Sequence, residues 1–264
     1  FVRETVTVPE GVTTFRVTIA NEVGSSPENK VKVYVGNDEP TQVKDVNLAI
    51  DPETGVAKLT WSPVTTGING GYIGNITYNV VRYPDSTTVA TGLAATEFTE
   101  TFSAEEPLQT YSYGVAAVND TQTGVAGISN KSVFGAAIVP PYSEPLDNEG
   151  ALELYTIIDN NEDGSTWEFN EKEGAASYKY SRVNDGDDWL ITPAIQLKGG
   201  KLYSVSFETC GYGYTYHERI EVKYGNQPTV AGMTHQLLDS TDIMSPNYTK
   251  FTREIAADTD QKVY

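Results

Sequence analysis

The run Asp159-Asn160-Asn161-Glu162-Asp163-Gly164 carries oxygen donors at its first, third and fifth places, with glycine at the sixth. Asp or Asn on every second residue turns several oxygens inward, and glycine permits a sharp bend, so this is the front half of a calcium loop. The twelfth position is Asn170, not a bidentate Glu, and no helical pattern flanks the run, which excludes a helix–loop–helix calcium hand. Two readings stay open: a structural calcium site built on Asp159, Asn161 and Asp163, or a solvated acidic turn. Calcium takes about 6–8 oxygens, so further donors are expected from the Asp187-Asp188 turn or Glu218.

A second candidate is aromatic. Gly211-Tyr212-Gly213-Tyr214-Thr215-Tyr216 places Tyr212, Tyr214 and Tyr216 on alternate residues. In a strand they share one face. Such a face would stack against a sugar or peptide, since tyrosine pairs an apolar ring with a hydrogen-bonding tip. The competing and favoured reading is a sheet face packed on its partner, with the glycines relaxing the bend.

Catalytic patterns are weak. The chain has two histidines, His217 and His235, neither in a zinc-type His-Glu-x-x-His spacing nor beside a serine-nucleophile motif. The single cysteine, Cys210, alternates with Phe207 and is expected as a buried strand residue; it excludes an intrachain disulfide. The expectation is a non-enzyme. Carboxylates are plentiful, but a glycosidase pair is defined by its separation in space, which a sequence does not give.

The elements that would position these residues are β-strands. Alternation of period two recurs along all 264 residues, as in Phe15-Arg16-Val17-Thr18-Ile19 and Arg219-Ile220-Glu221-Val222, and Gly, Pro, Asn and Asp interrupt it at short intervals. Hydrophobic residues make up 39%, enough for packed cores, and no apolar run approaches the ~18 residues of a membrane helix. With 36 acidic against 18 basic residues, the net charge of −18 argues against nucleic acid, whose phosphates are held by Lys and Arg.

Two breaks divide the chain: the polar run Gly36-Asn37-Asp38-Glu39-Pro40, and Val139-Pro140-Pro141-Tyr142-Ser143-Glu144-Pro145, whose prolines lack ladder donors. Between them lie a Trp61 strand, Tyr78-Asn79-Val80-Val81-Arg82-Tyr83, and Leu108 followed by Tyr111-Ser112-Tyr113-Gly114-Val115-Ala116-Ala117-Val118-Asn119. Residues 39–141 resemble a fibronectin type III domain, with Trp61 in its second strand and Tyr111 as the corner tyrosine. Residues 1–38 resemble the C-terminal strands of the same kind of domain, since Phe15 to Asn21 parallels Tyr113 to Asn119. Three strands have no opposite sheet, so either earlier strands precede them or they lean on their neighbour.

Residues 142–264 differ. The Asp-rich turn with Trp167, then Asp188-Trp189-Leu190-Ile191-Thr192-Pro193, then Gly199-Gly200 before a tyrosine-bearing strand, looks like the cleaved-adhesin domain of gingipain-type surface proteins, a jelly roll akin to MAM domains. The Pro140-Pro141 break leaves Trp61 and Trp189 expected in separate cores, and on the resemblance the last domain is expected to be incomplete at its C-terminus. The fold class expected is all-β: fibronectin type III-like sandwiches plus a jelly-roll-like sandwich. The resemblances imply a secreted or bacterial cell-surface protein that binds an extracellular protein or glycan, with structural calcium; the lack of a long apolar run implies no membrane insertion within these residues. The alternative is an accessory, non-catalytic region of a secreted glycoside hydrolase or peptidase.

Overall fold

The computed structural model describes residues 5–181, 183–215 and 218–264. The chain divides into two compact units. One holds residues up to Ile50 with Val56–Thr101 and Tyr111–Ser132; the other holds Asp51–Gly55, Phe102–Thr110 and Val133–Tyr264. The architecture is all-β, as the alternation predicts.

The first unit opens with β1 (Gly11–Val17), β2 (Ala20–Asn21), β3 (Gly24–Ser25) and β4 (Asn29–Val35). β1 and β4 pair antiparallel from Gly11↔Val35 to Val17↔Asn29. Thr13 faces Val33 and Phe15 faces Val31, so these residues and Val17 share one apolar side of a two-stranded ribbon.

A sandwich follows, made of β5 (Asn47–Ile50), β6 (Val56–Thr60), β7 (Thr77–Tyr83), β8 (Thr87–Leu93), β9 (Glu97–Thr101), β10 (Gln109–Val118), β11 (Gly127–Ile128) and β12 (Ser132–Phe134). One sheet has the order β5-β6-β9; the other runs β11-β10-β7-β8, with β12 also on β10. This strand order is that of a fibronectin type III-like sandwich, as its residues imply. Its core forms where the alternating strands turn inward. Val80, Tyr113, Val115 and Ala117 are wholly enclosed, and Leu59 and Trp61 nearly so. Trp61 meets Tyr78 edge-on at 5.3 Å between ring centroids. Burying each such side chain contributes roughly 1.5–3 kcal/mol. Tyr111 is buried as well.

The polar run before Pro40 is not a loose joint. Asp38 is fully buried, and its carboxylate accepts the backbone N–H groups of Asn69 (2.8 Å) and Gly71 (2.9 Å) and the Asn69 side-chain amide (2.9 Å). The Asn119 side-chain amide donates to the Asp38 carbonyl at 2.9 Å. A buried carboxylate is stable only when such donors replace water.

The second unit contains β13 (Thr156–Asp159), β14 (Trp167–Asn170), β15 (Ala175–Tyr178), β16 (Asp188–Ile191), β17 (Ile195–Leu197), β18 (Lys201–Thr209), β19 (Glu218–Tyr224), β20 (His235–Ile243), β21 (Thr249–Ala257) and β22 (Gln261–Val263). They form antiparallel pairs: β13 with β16, β14 with β15, β17 with β22, β18 with β21 and β19 with β20. Leu197, Ile255, Ala257 and Val263 form a core, with Tyr203, Val205 and Tyr224 packed against it. Trp189, expected in a core, is only half-buried: the Lys223 ammonium lies 5.4 Å from its ring centroid and its indole N–H donates to Asp187. Among the described residues no helix is long and apolar enough to cross a membrane.

Candidate ligand-binding and cation sites

β18 ends at Thr209, so the segment holding Tyr212 and Tyr214 is a turn and not a strand. Period-two reasoning therefore does not govern it, and the packed sheet face expected here does not form. Tyr212 is 87% exposed and Tyr214 67%; Tyr216, like His217, lies outside the described residues. Gly211 holds the turn close to the loop between β20 and β21: its N–H donates to the Ser245 carbonyl at 2.8 Å, and an added Cβ would sit 2.5 Å from the Ile243 oxygen. That second loop contributes Tyr248, 57% exposed, and Met244. Asn247 joins the two, its amide 3.5 Å from the Tyr214 hydroxyl. Tyr212, Tyr214 and Tyr248 thus lie on two linked loops, and all three are exposed. Sequence reasoning missed Tyr248, whose only local signal is the turn run Ser245-Pro246-Asn247. Cys210, expected inside a strand, sits half-buried just past the end of β18. It adjoins Tyr248, whose hydroxyl titrates above its ordinary value through burial first and Cys210 second.

The acidic loop folds back on its own backbone. Asp159 accepts the N–H groups of Asp163 (3.1 Å) and Gly164 (2.8 Å), one on each carboxylate oxygen. The Asn161 side-chain oxygen also accepts the Asp163 N–H, and the Asp163 carboxylate accepts that of Ser165. Gly164 has φ +79°, the left-handed turn that glycine allows. So the structure does gather Asp159, Asn161 and Asp163 in one tight loop. Across the sheet Asp159 lies directly opposite Asp188, a like-charge pair that is unfavourable by itself. The Asp163 carboxylate also takes hydrogen bonds from the Ser181 and Asn184 side chains, and that of Asp188 from the Tyr178 hydroxyl. The nearby Tyr178 hydroxyl is pushed up to about 12, by burial first and then by the charges of Asp188, Asp163 and Asp159. Asn160 ties the loop to Asp187 at 2.6 Å, while Glu218 opens β19 opposite Ile243. Among the described residues no three His, Cys, Asp or Glu side chains are grouped as metal ligands.

His235 begins β20. Its ring stacks on Tyr224 with centroids 4.8 Å apart and meets the Thr234 hydroxyl at 3.0 Å. These are ordinary strand contacts.

No family model matches the chain, and no curated protein matches it. Among solved structures it is similar to a Fn3-like protein from Clostridium thermocellum, at 23% identity and a TM-score of 0.27, over 41% of this chain and 99% of that one. It is similar to domains d3–d4 of the rat CD45 extracellular region, at 14% identity and a TM-score of 0.33, over 50% and 68%. It is also similar to the FN1–FN3 domains of chicken CNTN1, at 12% identity and a TM-score of 0.31, over 96% and 68%.

Proposed function

We propose that this chain is a non-catalytic stretch of a secreted or bacterial cell-surface protein that binds an extracellular protein or glycan. In this reading residues 142–264 form a jelly-roll-like binding domain, and the fibronectin type III-like modules serve as spacers. The observation that supports it is the exposure of Tyr212, Tyr214 and Tyr248 on two hydrogen-bonded loops. Large rings held in water by a fixed scaffold lose little freedom on binding, and they suit stacking on sugar or peptide. Calcium enters the proposal as a structural ion held by Asp159, Asn161 and Asp163. The like charges of Asp159 and Asp188, directly opposed across the sheet, support it, because a divalent cation would offset their repulsion.

A glycan array and a pull-down from host extracellular proteins, run with the whole chain, test the binding role. A ligand retained by the native chain and weakened at least about tenfold in Tyr212→Ala/Tyr214→Ala supports the reading, since stacked aromatics contribute on the order of 1.5 kcal/mol or more. A ligand whose binding is indifferent to both substitutions removes the tyrosines from the site.

A further inference from the structure

The N-terminal ribbon and the end of the sandwich repeat each other at a constant offset of 98 residues. Arg16↔Lys30 and Val17↔Asn29 pair in β1–β4 as Gly114↔Ile128 and Val115↔Gly127 pair in β10–β11. The Ser26 N–H donates to the Ile19 carbonyl as the Gly124 N–H donates to that of Ala117. Ala20 pairs with Ser25 as Val118 bridges to Thr123. The Asn21 side chain accepts the N–H groups of Val23 and Gly24; the Asn119 side chain accepts those of Thr121 and Gln122. Hairpin, turn and register are the same.

Their surroundings differ. Tyr113, Val115 and Ala117 are 0% exposed and Ser129 is 8%. At the equivalent places Phe15 is half-buried, but Val17 is 53% exposed, Ile19 76% and Val31 53%. In the sandwich, β7 pairs along one edge of β10, and the β5-β6-β9 sheet covers its apolar face through contacts such as Phe98 against Tyr113. Among the described residues, β1 pairs with β4 alone.

We propose that the bare face of this ribbon and the unpaired edge of β1 bind the other half of a second fibronectin type III-like sandwich, carried by the polypeptide N-terminal to it. The strand that adds to β1 is the counterpart of β7, antiparallel and with apolar residues on alternate positions; it places them beside Phe15, Val17 and Ile19. Counterparts of β6 and β9 close over Phe15 and Val31. Counting back the same 98 residues from the start of the sandwich puts all of these within about 60 residues before Phe1. The ribbon is then the closing hairpin of a domain, and not a flexible leader.

The test compares the 264-residue chain with one extended through the roughly 60 preceding residues of its own reading frame. In a Cys210→Ser background, Val17→Cys reports access to the face by its alkylation rate. Hydrogen exchange of the β1 amides, without substitution, reports the edge. Fast labelling and exchange in the shorter chain, both slowed about tenfold or more in the longer one, is the expected result. Equal rates in the two chains overturn the proposal, as does a preceding sequence without alternating strands. Protection in the shorter chain that grows with its concentration overturns it too, because a second copy then covers the face.

Discussion

A Cβ at position 67 would stand 2.2 Å from the Asp38 Oδ2 oxygen, so the loop after Thr66 closes over the Asp38 carboxylate only because residue 67 is glycine. Asp38 is enclosed and holds three donors from Asn69 and Gly71. Asp38→Ala should lower the stability of the first unit by about 3 kcal/mol, the order expected when buried donors lose a charged acceptor. Gly67→Ala should be destabilising in the same melt. Urea midpoints with an unchanged m value would check both; a loss below about 0.5 kcal/mol for Asp38→Ala would mean that the donors find water instead.

Arg82 on β7 reaches Glu100 on β9 at 2.8 Å and so ties the two sheets of the sandwich, while the Tyr113 hydroxyl donates to the same carboxylate. Both charged side chains are about one-fifth exposed. Glu100→Gln should cost on the order of 2 kcal/mol, less than for a fully buried pair because solvent still screens it. The exposed Lys198–Asp260 pair sits at the same 2.8 Å. Asp260→Asn should cost under about 1 kcal/mol. Denaturation of the two variants side by side separates burial from distance as the controlling factor.

Stability should fall below about pH 4. The hydrogen bond and charge of Arg82, with Thr87, hold the Asp85 carboxyl below its ordinary value. Burial alone would raise Asp38, but the donors of Asn69 and Gly71 outweigh it and hold it low. A carboxyl depressed in the folded state adds stability that is fully present above the unfolded value, near 3.9, and is lost as pH falls through the folded one. Melting temperatures between pH 2 and 5 should therefore drop less steeply in Asp85→Asn than in the native chain.

Calcium should raise the melting temperature of the chain and chelator should lower it. An ion bound only by the folded state adds about 2.7 kcal/mol at a hundredfold excess over its Kd. Asp159→Ala should abolish the difference between the two melts. Identical melting in calcium and in chelator would leave the loop as an acidic turn closed by its own backbone.

The strands were legible because a strand repeats every two residues, and their order because Trp61 and Tyr111 carry the resemblance to a fibronectin type III domain. The enclosed Val80, Tyr113, Val115 and Ala117 and the buried Trp61 fall where alternation put them, and Asn21 and Asn119 end equivalent strands as their neighbours suggested. Alternation holds only while the chain stays in a strand. Past Thr209 it does not, so Tyr212 and Tyr214 face solvent and Cys210 is only half-buried. Tyr248 joins them because Asn247 and Ser245 link two loops more than 30 residues apart in sequence, a juxtaposition set by the β18–β21 and β19–β20 pairings. Asp38 and Trp189 make the same point in opposite directions. A charged turn residue became fully enclosed because distant amides replaced its water, and an aromatic residue stayed half-exposed because a lysine and a carboxylate met its ring and indole nitrogen. Residue type and spacing set the strands; which groups replace water around each side chain is fixed only when segments far apart in sequence come together.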